Sequence, residues 1–242
     1  MNTLYLDLFS GISGDMFLGA LLDLGLEFRP LEAELRKLGL PDYHLHVSRQ
    51  QRSAITGTKF DVHLESDHHH HGHDATPSHA HHHDHGHDHA HDHRHDHPPA
   101  PPAEAHAHGR TFAEIRELIQ HSPLSDWVKA KSLAVFQRVA EAEGKIHGQP
   151  ADQVHFHEVG AIDSIVDIVG AAIALDLLGR PRVLAAPVVE GTGWITCAHG
   201  RFPIPAPATL EILSARGIPI SQCDEPHELV TPTGAALLAE FV

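Results

Sequence analysis

Residues 163–178 read DSIVDIVGAAIALDLL, a strongly apolar run whose length predicts a helix. The next segment, 182–189, reads RVLAAPVV and predicts a buried strand. At the start of the chain, residues 3–9 predict a short strand and residues 15–24 a helix that ends at Gly25. Because strands alternate with helices, the expected fold class is α/β (or α+β), with a mixed sheet flanked by helices.

The other segments of ordinary composition extend this pattern. Residues 43–47 and 59–64 alternate between apolar and polar side chains, so they are expected to pair as strands. Residues 191–199 are rich in glycine and are expected to form a turn. A further strand is predicted over 154–157, and helices are predicted over 31–38, 112–119, 126–146, 206–213 and 233–241.

A histidine-rich insertion interrupts the fold. Of the 27 histidines, 18 fall between His68 and His108, partly in a four-residue His-Asp repeat. This stretch has no apolar side chain larger than Ala or Pro, so it cannot bury enough surface to offset its ordering entropy. We expect residues 67–110 to be a disordered insertion between two parts of one α/β core, residues 1–66 and 111–242.

The imidazole and carboxylate groups of the insertion predict metal binding. These ligands suit divalent Ni, Zn and Cu, so the composition indicates a transition metal without selecting one. A flexible segment cannot hold a preorganised geometry, so the insertion is not expected to be a catalytic site. The candidate metal ligands are His68, His69, His70, His71, His73, His81, His82, His83, His85, His87, His89, His91, His93, His95 and His97.

The composition argues against several other classes of protein. The 242 residues include 32 acidic and 17 basic ones, a net charge of −15, which would repel nucleic acid and anionic lipid. The N-terminus lacks the basic region of a signal peptide, and no apolar run reaches the ~18 residues of a membrane span. Cys197 and Cys223 are expected to be reduced thiols. We therefore expect a cytoplasmic protein that binds neither nucleic acid nor membrane.

The turn between the first strand and the first helix is a candidate ligand site. It reads DLFSGISGD over residues 7–15. Free N–H groups at a helix start bind anions, and the two flanking carboxylates could hold a metal ion that bridges phosphates. A helix that is merely N-capped explains the same residues equally well. The candidate cofactor-binding residues here are Asp7, Ser10, Gly11, Ser13, Gly14 and Asp15.

A second candidate site spans the predicted strand at 154–157 and the start of the following helix. His155 and His157 would share one face of a strand, and Asp163 and Asp167 one face of the helix. Two histidines and two or three carboxylates can bind a dication or perform acid–base catalysis. The alternative is a capped helix preceded by surface histidines. The candidate catalytic residues are His155, His157, Glu158 and Asp163.

Two glycine-containing turns complete the set of candidates. One contains Glu190, Gly191 and Gly193 and is followed by His199, and the other reads TPTG over residues 231–234 at a predicted helix start. Turn chemistry alone accounts for either motif taken singly. The cofactor-binding candidates in these turns are Gly191, Gly193, His199, Thr231, Thr233 and Gly234.

Taken together, these segments resemble the LarC family, the nickel-insertion proteins of nickel-pincer cofactor biosynthesis. The resemblance rests on four stretches in family order and on the His/Asp-rich insertion. The four stretches are DLFSGISGDMFLGALLDLG at 7–25, VHFHEVGAIDSIVDIVGA at 154–171, GTGW with HGRFPIPAPAT within 191–209, and ELVTPTGAAL at 228–237. They span nearly the whole chain, which makes the resemblance more specific than any one motif.

The resemblance implies a nickel insertase, a lyase (cyclometallase) that forms a metal–carbon bond. Its substrate would be pyridinium bis-thiocarboxylate mononucleotide, metallated with Ni²⁺ in a reaction that consumes CTP with Mg²⁺ or Mn²⁺. The product would serve lactate racemase-like enzymes, whose apo forms are implied partners. Family members carry a further C-terminal, nucleotide-binding domain, which we expect to be absent from this chain and to act as its partner portion.

The chemistry of nickel insertion suggests roles for the candidate residues, as a hypothesis. The group His155, His157, Glu158 and Asp163 would supply metal ligands and the base that takes a ring proton. The turns at 10–14 and 231–234 would hold the mononucleotide. A non-catalytic nickel store or metallochaperone remains the alternative. A phosphohydrolase is a third hypothesis, although the chain lacks the lysine or arginine cluster expected around phosphates.

Overall fold

The computed structural model describes residues 2–41, 43–52, 54–64, 109–156, 159–197 and 200–242. Apart from Gly109 and Arg110, the predicted insertion with all its candidate metal ligands lies outside the described residues. The helices are α1 (Gly14–Asp23), α2 (Phe28–Leu35), α3 (Phe112–His121), α4 (Asp126–His147), α5 (Ile162–Leu177), α6 (Pro207–Ala215) and α7 (Pro232–Phe241). The strands are β1 (Thr3–Leu6), β2 (Tyr43–Arg52), β3 (Ile55–Leu64), β4 (Arg182–Ala185), β5 (Val188–Glu190), β6 (Trp194–Cys197), β7 (Gly200–Pro203) and β8 (Ile220–Gln222).

Helix α5 forms the centre of the core, which confirms the helix predicted from its apolar run. Every residue from Ile165 to Leu175 is buried except Asp167. The helix packs against α1, α2, α4 and α7. An α-helix that is apolar around its circumference is stable only when other elements cover most of its faces, and these four helices do so.

The strands pair in parallel and antiparallel units, which confirms the α/β class. Strand β1 runs parallel to β4 and β5 runs parallel to β8, whereas β2–β3 and β6–β7 are antiparallel. The described strands therefore form four two-stranded units rather than one continuous mixed sheet. The predicted strand at 182–189 is divided into β4 and β5 because Pro187 has no N–H group to continue the ladder.

Two strand predictions need correction, and one is extended. The predicted pair at 43–47 and 59–64 is confirmed, and both strands are longer. The predicted strand at 154–157 is wrong for its described residues: His155 forms only an isolated bridge with Thr111. Because Thr111 caps α3, its chain turns into that helix after one pairing. The predicted turn at 191–199 contains β6, which pairs with β7.

The predicted helices are confirmed, with small shifts at their ends. The run at 31–38 begins earlier, as α2, and ends in a 3₁₀ turn, Arg36–Leu38. The run at 206–213 begins at Pro207, which suits the first turn of a helix because its missing N–H needs no partner there. Among the described helices, none combines the length and apolarity that crossing a membrane requires.

Candidate functional site

The turn before α1 is fixed by its own polar side chains. Ser13 is the N-cap residue, and its hydroxyl oxygen accepts a hydrogen bond from Met16 N–H at 3.4 Å. The same hydroxyl donates to the Asp15 carboxylate. Of the predicted residues in this turn, Asp7 and Ser10 are exposed, and Asp7 lines a groove of about 270 Å³ along β1 and α1. N-capping of α1 therefore accounts for Ser13. Asp15 lies in the first turn of the same helix.

Two of the predicted turns, far apart in sequence, meet. Ile12 N–H donates to the Leu229 carbonyl at 2.9 Å, and Thr231 N–H donates to the Ile12 carbonyl at 3.2 Å. Glycine permits this approach on both sides. A Cβ on Gly11 would lie 2.0 Å from the Leu229 oxygen, and a Cβ on Gly234 would lie 2.1 Å from the Ile12 oxygen.

Helix α7 begins beside α1 and is capped in the same way. The Thr231 hydroxyl oxygen accepts a hydrogen bond from Gly234 N–H at 3.2 Å, and it lies 2.8 Å from the Thr233 hydroxyl. The chain segments leading into the two helices run parallel at the Ile12–Val230 bridge. Two helix N-termini side by side favour a ligand that carries negative charge.

The turn after β5 joins this arrangement through Glu190. This side chain is fully buried, and its Oε1 accepts hydrogen bonds from the N–H groups of Gly191 (2.8 Å), Leu229 (2.6 Å) and Val230 (3.3 Å). Gly191 lies against the chain at His227, whose carbonyl oxygen would be 1.9 Å from a Cβ. The predicted Gly191 is therefore a packing glycine, while Gly193, with φ +102°, forms the exposed turn before β6.

A carboxylate cluster, Asp15, Asp163 and Asp167, lies where α5 passes the start of α1. Asp167 accepts a hydrogen bond from the Asp15 backbone N–H. Its Oδ1 is buried and has no hydrogen-bond partner among the described residues. Gly14 lies directly against it, since a Cβ there would be 2.7 Å from Asp167 Oδ2. Asp163, one turn earlier on α5, is exposed.

The environment of the cluster alters the chemistry of Asp167. Burial raises the pKa of Asp167 well above its ordinary value, and the neighbouring carboxylates of Asp15 and Asp163 raise it further. A carboxyl group in this state exchanges a proton closer to neutral pH than an ordinary aspartate does. The oxygens of the three groups do not all lie within 4.8 Å of one another. The arrangement therefore suits proton transfer better than a three-ligand metal site.

A cavity of about 320 Å³ opens next to the start of α7. It lies between the end of α4, the β6–β7 hairpin and the first turns of α6 and α7, and most of its lining is apolar. Its polar groups include Glu143, His147 and Glu228, and His147 Nε2 lies 3.2 Å from Glu143 Oε2. A mostly apolar cavity of this size with a few polar groups fits a small ring compound.

Two of the four predicted catalytic residues are among the described residues. Asp163 belongs to the carboxylate cluster, and His155 lies beside Gly109. His155 contributes, after the hydrogen bonds from Thr111, to lowering the pKa of Glu114. His157, Glu158 and His199 lie outside the described residues. The sequence placed Asp167 on the same helix face as Asp163, but the list of candidate catalytic residues left it out.

Fold and site together define a class: an α/β protein with a cluster of three carboxylates and paired helix N-termini beside an apolar cavity. The chain belongs to the nickel insertion protein family, whose model matches residues 4–242.

Curated relatives agree with this assignment. A protein of Maridesulfovibrio salexigens is 56% identical over 243 residues, which are 100% of this chain and 55% of that protein. The "Pyridinium-3,5-bisthiocarboxylic acid mononucleotide nickel insertion protein" of Clostridium acetobutylicum is 52% identical over 243 residues, 100% of this chain and 56% of the relative. The protein of the same name in Lactiplantibacillus plantarum is 46% identical over 245 residues, 100% of this chain and 53% of the relative. The chain thus spans about half the length of the curated relatives it matches, and no solved structure gives a significant match.

Proposed function

We propose that this chain supplies part of an enzyme that inserts Ni²⁺ into pyridinium-3,5-bisthiocarboxylic acid mononucleotide. The family assignment and the names of relatives at 46–52% identity support the substrate. The observation that carries the proposal to this chain is Asp167, whose Oδ1 is buried without a hydrogen-bond partner among the described residues and which lies beside Asp15 and Asp163. We place the enzyme in the cytoplasm, where reducing conditions suit Cys197 and Cys223 as free thiols.

The carboxylate cluster is proposed to accept the proton that the reaction releases. When a nickel–carbon bond forms at the pyridinium ring, a C–H bond breaks, its electron pair goes to the new bond and a proton leaves. A base with a raised pKa holds that proton more firmly than an ordinary carboxylate does. In this proposal Asp167 accepts the proton, and Asp163, which is exposed, and Asp15, at the start of α1, carry it to solvent.

The turns and the cavity are proposed to hold the mononucleotide. The N-termini of α1 and α7 suit its phosphate, with the Thr231 and Thr233 hydroxyls as further donors. The apolar cavity adjoins the start of α7, since Pro232, the residue after Thr231, forms part of its wall. We further propose that this chain works as part of a longer protein, as its relatives are about twice its length. CTP with Mg²⁺ or Mn²⁺ is proposed to act in that longer protein.

The test is nickel insertion by the longer protein carrying Asp167→Asn or Asp163→Asn. Loss of a general base typically costs 10²–10⁴-fold in rate, and we expect a reduction of about that size for Asp167→Asn. Asp176→Asn is the matched control, because Asp176 lies at the far end of α5 and contacts Ser125 and Arg180. Full insertion rates in both cluster variants would refute the assignment of the base.

A nickel store or metallochaperone is the second candidate function. The His-Asp repeat between residues 83 and 97 favours it, since such a segment can bind several dications. The two functions differ in what they require of the ordered core. A store requires only the metal ligands, whereas an insertase also requires the carboxylate cluster.

A further inference from the structure

The hairpin β2–β3 carries histidines on the face that points away from the core. Its antiparallel register places His44 opposite His63, and His46 opposite Asp61. Residues opposite each other in a ladder point to the same side of the sheet, so these four side chains share one face. The other face packs on the core through residues that include Tyr43, Leu45, Val47, Phe60 and Val62.

The side chains on the outer face are gathered closely enough to surround an ion. His46, Asp61 and His63 each offer one ligand atom, and the three atoms all lie within 4.8 Å of one another. Ligand atoms around one first-row metal ion, at about 2.0–2.2 Å from it, lie at most roughly 4 Å apart, so small side-chain rotations complete the set. The His44 ring stacks on that of His63, with 5.4 Å between ring centroids, and fills out the same face.

We propose that His46, Asp61 and His63 form a binding site for one divalent transition-metal ion on the outer face of this hairpin. Two imidazoles and a carboxylate are the ligands preferred by Zn²⁺, Ni²⁺ and Co²⁺, and they do not suit Mg²⁺ or Ca²⁺, which take oxygen ligands. Three protein ligands leave coordination positions open to water or to an incoming ligand. Because both histidines are exposed, the ion exchanges readily.

A neighbouring lysine gives the site a distinctive property. Lys59 Nζ lies 2.5 Å from Asp61 Oδ1, so a bound dication and the ammonium group share one carboxylate. The lysine side chain is 40% exposed and can turn into solvent when the ion binds. Its removal should therefore tighten metal binding, by up to about fivefold, which is the value of an exposed ion pair.

The hairpin is close in sequence to the histidine-rich insertion. His68, the first histidine of the histidine-rich insertion, follows His63 by five residues. Five residues of extended chain reach at most ~18 Å. The sequence thus places the hairpin site next to the first histidines of the insertion.

The test uses the full chain at pH 7.5, titrated with Zn²⁺ until the insertion is saturated and binding reaches a plateau. The readout is the ¹⁵N shift of the imidazole nitrogens of His46 and His63, assigned with His46→Asn and His63→Asn. Direct coordination moves these signals, whereas an ion held elsewhere does not. These shifts report whether an ion occupies the site, so the result does not depend on whether the protein inserts nickel.

The variants distinguish a metal site from an ordinary polar face of a hairpin. Asp61→Asn should weaken Zn²⁺ binding at His46 and His63 at least tenfold, since even outer-shell partners of metal sites are worth about 10–100-fold. Lys59→Gln should tighten it, an outcome that misfolding cannot mimic. His121→Asn, on an exposed histidine of α3, is the matched control and should change nothing. Unchanged His46 and His63 signals at saturation, or weaker binding in Lys59→Gln, would overturn the proposal.

Discussion

At the scale of single residues, Asp167 gives the stability of the protein an unusual dependence on pH. Because burial and the Asp15 and Asp163 carboxylates raise its pKa in the folded state, the folded chain binds more protons than the unfolded chain above the ordinary pKa. The free energy of unfolding therefore falls as pH rises through that range, by about 1.4 kcal/mol for each unit by which the pKa is raised.

Substitution of Asp167 should change this dependence of stability on pH. Asp167→Asn removes the titration and should make the protein more stable than the wild type at pH 8, with little gain at pH 4, where Asp167 is protonated in the fold. Urea unfolding at the two pH values measures the difference. An equal change in unfolding free energy at both would contradict the prediction.

Gly14 packs against Asp167 so closely that there is no room for a side chain at this position. A Cβ at this position would lie 2.6 Å from the Asp167 Cβ, so Gly14→Ala should force α1 and α5 apart. We predict a loss of about 1–3 kcal/mol in the free energy of unfolding, the usual cost of overpacking. Gly57→Ala is the control, because its new Cβ would have no neighbour within 4 Å. Equal stability of the two variants in urea would disprove the clash.

At the scale of elements, Glu190 links the end of β5 to the segment that leads into α7. Its Oε1 accepts three backbone hydrogen bonds, two of them from Leu229 and Val230. Glu190→Ala leaves these N–H groups buried without an acceptor, and each costs about 1–3 kcal/mol. We predict a destabilisation of roughly 3 kcal/mol or more, with Glu190→Gln, which keeps an acceptor oxygen, clearly milder. Thermal unfolding of both variants provides the measurement, and an equally mild Glu190→Ala would count against the linking role.

The elements also show how far the sequence alone could predict this fold. Helix α5 and the β2–β3 pair followed from composition and alternation, because those signals are local. The β6–β7 hairpin was missed because Gly191 and Gly193 suggested a turn more strongly than the β-branched Ile195 and Thr196 suggested a strand.

The candidate site was harder to predict than the elements. The turns at Ser13 and Thr231 were recognised singly, but their contact depends on long-range packing that no local pattern encodes. Asp167 stood out only by its spacing from Asp163, since its burial depends on Gly14 of another helix. The hairpin histidines had no local signal either, because the pairing register decides which of them share a face.

At the scale of the whole molecule, the histidine-rich insertion and the core are expected to separate functionally. We predict that replacing the insertion histidines with asparagine leaves nickel insertion by the longer protein unchanged at saturating Ni²⁺ and slows it at limiting Ni²⁺. A nickel store would instead lose its function altogether. Rates across a nickel titration decide between them, and loss of insertion even at saturating nickel would exclude a purely supplying role for the segment.

We predict that this chain and the remaining half of its longer relatives carry different parts of the reaction. This chain alone, mixed with precursor, Ni²⁺ and CTP, is expected to form little cofactor, and adding the remaining half of a relative in trans should restore formation. Holding reactants in one site can be worth ~7–11 kcal/mol, so separated parts should work slowly even when both are present. Mass spectrometry of the nickel-containing product measures this. Full-rate formation by this chain alone would contradict the expected division.

The pairing of β1 with β4 has a consequence for how the protein is made. Thr3 pairs with Arg182, and Ile12 pairs with Val230. Strand β1 and the segment before α1 therefore cannot pair until residues 182–230 have been synthesised. At 5–20 residues per second, a ribosome needs about 10–45 s to deliver them. During synthesis the N-terminal segment is thus a strand with an open edge, and the core closes only when residues 182–230 emerge.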